Sequence, residues 1–242
     1  MAVIKRRSLV IVSVLIAVAI AFAMCVGALA KTSAGAQATG ITVVLDAGHG
    51  GIDGGVVGTK TGVKESDLNL KIVKRLEQYL TDGGINVVLT RKTEAGLYGV
   101  AAASLKRRDM EKRRDIILKA KPTLVVSVHL NKFSVSSRRG AQVFYKSGDE
   151  KSQILATSIQ SVFNQMEERV REYSPLTGDY YILNCSEYPS VIAECGFLSN
   201  PQEEALLVTE EYRDKVAYAL FKGIVKYLAQ SSFGGNTEKI QK

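Results

Sequence analysis

Five short apolar runs punctuate the chain: ITVVLD at 41–46, NVVLT at 86–90, TLVVSV at 123–128, QVFY at 142–145 and SVIAE at 190–194. They are rich in β-branched residues and too continuously apolar for strands with one wet face, so they predict a sheet covered on both sides. Helical periodicity lies between them. Leu68, Ile72, Leu76, Tyr79 and Leu80 recur every three or four residues and stop at Asp82-Gly83-Gly84, a C-terminal signal. Further helices are predicted over 104–120, over 151–172 with Ile154, Leu155, Ile159, Val162, Phe163 and Met166 on one stripe, and over 209–229 with Val216, Leu220, Ile224 and Leu228. The alternation implies an α/β domain of three layers, a mostly parallel sheet with helices on both faces.

A different pattern precedes this body. Lys5-Arg6-Arg7 leads into residues 9–30, which carry no charge, followed by the polar stretch KTSAGAQATG. A basic cluster before 22 uncharged residues predicts an N-terminal membrane segment over 1–31, with 32–40 as linker. Its length favours an anchor, whereas Ala28-Leu29-Ala30 and Ala36-Gln37-Ala38 offer cleavage sites of a signal peptide. Either reading exports the domain of 41–229, which ends in a polar tail over 230–242.

Charge changes the picture once that leader is set aside. The whole chain has 32 Lys and Arg against 24 Asp and Glu. Lys5, Arg6, Arg7 and Lys31 belong to the leader, which leaves 28 against 24 and a body of only +4. That is no concentrated cationic surface, so no nucleic-acid partner is expected. The body's two cysteines, Cys185 and Cys195, fall short of a disulfide framework and read as small packed residues.

The candidate chemistry gathers at the carboxyl ends of the predicted strands, where open α/β sheets place their sites. LDAGHGGIDGG follows the first strand, VHLN ends the third and AECGFLSN follows the last. The chain has two histidines, His49 and His129, and both fall there. Two imidazoles and a carboxylate with one open position form a catalytic zinc pattern. Glu65, just before the helix that begins near Leu68, is the leading third ligand, with Asp46 and Asp53 as competitors. Asp46 reads as a strand-end acceptor of backbone N–H groups or a partner orienting a histidine, Asp53 as a turn former and Asp67 as a helix cap.

These residues resemble the zinc-dependent N-acetylmuramoyl-L-alanine amidases of the Amidase_3 family, which cleave bacterial peptidoglycan. The likeness runs over about 41–228 through VVLDAGHGGIDGG, the Glu65-Ser66-Asp67-Leu68-Asn69-Leu70 run, VVLTR at 87–91, VVSVHLN at 125–131 and PSVIAECGFLSNPQE at 189–203. It implies that His49, Glu65 and His129 bind zinc and that Glu194 is the catalytic carboxylate, with Asn131 a candidate for binding the peptide. Arg108 fits the family's L-x-x-R pattern with Leu105, while Lys112 and Arg113 stand where Ala-Asn is common. One domain behind a short membrane segment looks most like the CwlD-type amidases that act on spore-cortex peptidoglycan and hence in germination. That implies an exported enzyme at the outer face of a bacterial membrane, in the forespore intermembrane space. Separately, the absence of a targeting domain beside the catalytic body leads us to expect an accessory regulatory protein as a partner.

The basic run KRRDMEKRR at 106–114 reads as a solvated helix face with internal acid pairs. Two other classes remain open. A metal phosphatase could use the Gly-rich turn at 48–55, although no Walker-type Lys-Ser/Thr follows it. A non-catalytic binding protein could carry a structural zinc or none.

Overall fold

The computed structural model describes residues 40–99, 104–168 and 171–234. The predicted leader, the linker up to residue 39 and the tail from 235 lie outside the described residues. No helix among the described residues is long and apolar enough to cross a membrane.

Six strands form one sheet: β1 (Thr42–Ala47), β2 (Asn86–Leu89), β3 (Leu124–Asn131), β4 (Gln142–Tyr145), β5 (Leu176–Thr177) and β6 (Ser190–Phe197), in the order β2-β1-β3-β6-β4-β5. β2, β1, β3 and β6 run parallel, β4 is antiparallel to β6, and β5 is parallel to β4. The helices are α1 (Glu65–Asp82), α2 (Leu105–Ala120), α3 (Glu150–Phe163), α4 (Tyr181–Asn184), α5 (Pro201–Leu207) and α6 (Glu210–Gly234).

Successive side chains of a strand point to opposite faces, and here the two faces differ. One is apolar along its whole length: Val43, Leu45, Val126, Val128, Ala193 and Cys195 share a core with Leu68, Ile72 and Leu76 of α1, Leu155 and Ile159 of α3, and Val216, Leu220 and Ile224 of α6. The other face is apolar only at its amino end, where Val44, Val125 and Ile192 meet Ile117 of α2 and Ile182 and Leu183 of α4. Two residues further along each strand it turns polar, at Asp46 of β1, Ser127 of β3 and Glu194 of β6, with His129 one step beyond Ser127 on the same face. The three-layer α/β expectation therefore holds, and the carboxyl end of this second face is where the site lies.

Several expectations are corrected. The helix predicted over 151–172 ends at Phe163, because the Asn164 side chain turns the chain back: its Nδ2 donates to Tyr173 O and its Oδ1 accepts from Tyr173 N. The last helix runs to Gly234, into the stretch read as polar tail. Asp67 does not cap α1. The N-cap is Lys64, and the loop's own carbonyls satisfy the first N–H groups, Val56 O accepting from Glu65 N and Gly54 O from Ser66 N. The basic run at 106–114 is not wholly solvated: Arg107 and Glu111 pair on the surface as expected, but Asp109 and Arg113 are buried in line with Ile117. Cys185 and Cys195 are free thiols packed on opposite sides of the sheet.

Candidate metal centre

β1 delivers the chain into a loop whose geometry depends on two close approaches. A Cβ on Gly48 would lie 2.2 Å from the His129 ring, and one on Gly55 would lie 2.5 Å from Glu65 Oε2, so the backbone can pass the site only as glycine. Between them His49 adopts φ 61°, a left-handed conformation that a non-glycine residue holds only where its surroundings enforce it. The loop then meets the first residue of α1, Glu65, and β3 supplies His129 opposite Glu194 in the β3–β6 register.

The ligand atoms of His49, Glu65 and His129 all lie within 4.8 Å of one another. Glu65 Oε1 is 3.3 Å from His49 Nε2 and 2.9 Å from His129 Nδ1, and it accepts from Leu130 N and Asn69 Nδ2. Its Oε2 accepts from Val56 N. His49 Nδ1 faces Asp53 Oδ1 at 3.0 Å, so Asp53 orients this imidazole as well as accepting from Gly55 N in its turn. Glu194 Oε2 is shut off from solvent and has no hydrogen-bond partner among the described residues. Two imidazoles, one carboxylate and an unpartnered buried carboxylate oxygen beside them fit a zinc ion with an open position.

The charges are matched to this arrangement. Burial pushes the Glu65 carboxyl up, but the two imidazoles outweigh it and hold it far below the usual carboxylate range. Burial pulls His49 down, while the hydrogen bonds and charges of Glu65 and Asp53 carry it up to about 9. For Glu194 burial dominates and raises the carboxyl to about 7, with His129 and His49 opposing and Glu65 adding to the rise. Both raised groups bind protons more tightly folded than unfolded. Their stabilisation is complete below the unfolded values of 4.5 for Glu194 and 6.5 for His49, and is lost as pH climbs through about 7 and about 9. The metal-free protein is therefore expected to melt at progressively lower temperature from pH 5 to pH 9, and Glu194→Gln to flatten the part between pH 5 and 7. Melts in chelator at pH 5, 7 and 9 read this directly, and parallel curves for variant and parent would refute it.

The four residues expected at the site thus come together, along an open cleft of about 810 Å³ that Asn131 also lines. Asp46 does not orient a histidine. It accepts from Thr90 Oγ1, Ser127 Oγ and Arg113 Nη1, and these partners overcome burial to hold it at about 2. Arg108 is exposed, and Arg113 on the same helix reaches the site loop instead. Ser199 accepts from Phe133 N, while Asn200 caps α5 and donates to Ser136 O; both secure the loop after β3. The sequence reading missed Arg91, Asp109, Arg113 and the cleft tyrosines Tyr98 and Tyr180. The i, i+4, i+8 spacing of Asp109, Arg113 and Ile117 was the available signal for two of them.

Residues 43–226 match the N-acetylmuramoyl-L-alanine amidase family Amidase_3. The germination-specific N-acetylmuramoyl-L-alanine amidase of Bacillus subtilis (strain 168) is 34% identical over 196 residues, covering 79% of this chain and 81% of that protein. The CwlD amidase from Clostridioides difficile, solved in complex with the GerS lipoprotein, is 36% identical with a TM-score of 0.75, covering 78% of this chain and 98% of that one. An N-acetylmuramoyl-L-alanine amidase from Clostridium difficile 630 is 29% identical with a TM-score of 0.69, covering 78% and 97%. With a family match spanning most of the chain and a fold shared with solved amidases, the chain belongs to the Amidase_3 family of N-acetylmuramoyl-L-alanine amidases.

Proposed function

We propose that the chain is a zinc-dependent amidase that cleaves the bond between N-acetylmuramic acid and L-alanine in peptidoglycan, with His49, Glu65 and His129 holding the metal and Glu194 as general acid and base. The observation that carries this reading is the convergence of the three ligand atoms within 4.8 Å beside the unpartnered Glu194 Oε2. Bound there, zinc supplies Lewis acidity, lowering the pKa of water from 15.7 to about 7 and polarising an amide carbonyl.

The chain's own groups do the rest. The Glu194 carboxylate takes a proton from the water that attacks the lactyl carbonyl carbon, and returns it to the L-alanine nitrogen as the C–N bond breaks. Burial raises this carboxyl in the metal-free protein, which favours its holding a proton more than exposure to solvent would. Asp53 fixes the His49 ring, and Asn131, which lines the cleft, hydrogen-bonds the peptide. The domain of 41–229 is the catalytic unit, exported by the leader of 1–31 as signal or anchor.

A role in the spore cortex, and through it in germination, is supported by the similarity to the germination-specific amidase of Bacillus subtilis. An accessory lipoprotein partner is supported by the similarity to CwlD, which is solved with one. The purified protein is expected to carry one zinc, to lose peptidoglycan hydrolysis on chelation and to regain it with zinc. Full hydrolysis by metal-free protein would overturn the reading.

A further inference from the structure

Two buried arginines grip three successive carbonyls of the loop that carries His49. From one side Arg91 donates through Nε to Ala47 O at 2.8 Å and through Nη2 to Gly48 O at 3.0 Å. From the other, Arg113 donates through Nη1 to Ala47 O at 2.9 Å and through Nη2 to His49 O at 2.7 Å. Arg113 is 1% exposed and is itself held between two carboxylates, Asp46 of β1 and Asp109 of its own helix. Asp109 also accepts from Leu97 N, so the same network reaches the loop after β2.

Burying a guanidinium between carboxylates is a poor way to gain stability, since well-packed apolar side chains of similar volume often do as well. What the guanidinium offers is a rigid planar fork with donors at fixed separations. That fork spans Asp46, Ala47 O and His49 O at once, at the residue whose φ of 61° needs enforcement. We infer that Arg113 is a positioning residue, which locks His49 in its left-handed conformation and so presets the metal centre for zinc. The inference rests on the zinc reading above and adds to it a residue that touches neither metal nor substrate.

Lysine carries the charge but gathers its three donors on one nitrogen, so it cannot reproduce the fork that meets the carbonyls of residues 47 and 49 with two separate nitrogens. The test uses the full chain as Arg113→Lys, with Ile117→Ala as a comparison that loosens the same helix in the apolar cluster below the network. Zinc affinity is measured by competition with a chromophoric chelator, well below every variant's melting midpoint, and the visible spectrum of the cobalt-substituted protein reports ligand geometry. Arg113→Lys is expected to weaken zinc binding about 10- to 100-fold, the range for partners that orient metal ligands, and to change the cobalt bands. Ile117→Ala is expected to lower the melting midpoint with zinc affinity and cobalt bands unchanged. Should Arg113→Lys fail to fold, Asp109→Asn keeps the guanidinium and removes one anchor, and is expected to weaken zinc in the same direction. Parental zinc affinity in the folded variants, or an equal loss in Ile117→Ala, would overturn the inference. A parent chain that binds no zinc would overturn the zinc reading instead.

Discussion

Glu194→Gln is expected to lower kcat about 100- to 10,000-fold while leaving zinc content and KM close to those of the parent, because the amide can neither take a proton from water nor return one. The substitution is nearly isosteric and the lost group is not among the three converging ligands. Its Oε2 has no protein partner to lose among the described residues, so the fold is not expected to suffer. The contrast between intact metal and absent turnover is what separates a proton-transfer group from a structural one. A variant with parental kcat would remove Glu194 from the chemistry.

Glu65→Gln should produce the opposite separation, with the metal lost. The carboxylate faces both imidazoles through Oε1 and accepts from Leu130 N, Asn69 Nδ2 and Val56 N. A glutamine presents donors as well as one acceptor, so whichever way its amide turns, an N–H group faces another donor. The expected result is a fall in zinc affinity beyond the roughly 100-fold typical of outer partners. Destabilisation of about 1–3 kcal/mol accompanies it from the unpaired buried donors. Chelator competition and thermal melts read the two effects separately. Parental zinc affinity in this variant would exclude Glu65 as a ligand.

The residues with rare chemistry were the legible ones. His49 and His129, the only histidines, stand at the carboxyl ends of parallel strands, and topology alone then brings them to one edge of the sheet. The continuous apolar runs announced strands covered on both faces, and β3 and β6 carry that pattern on to His129 and Glu194. What stayed hidden depends on partners distant in sequence. Arg113 looks like one cation among many until Asp46, 67 residues away, is brought beside it. The apolar stripe that continues to Met166 hides the end of α3, since the stop comes from Asn164 bonding Tyr173 rather than from a breaker. β5 is two exposed residues with no periodicity to detect.

The most direct measurement is the mass spectrum of the products released when the purified full-length chain meets purified peptidoglycan, with zinc, with chelator, and with the Glu194→Gln variant. Stem peptides beginning at a free L-alanine amine and glycan strands bearing free lactyl carboxyls are expected in the zinc sample alone. Zinc-loaded, folded protein that releases glycan fragments still joined to their peptides, or phosphate, would contradict the amidase reading.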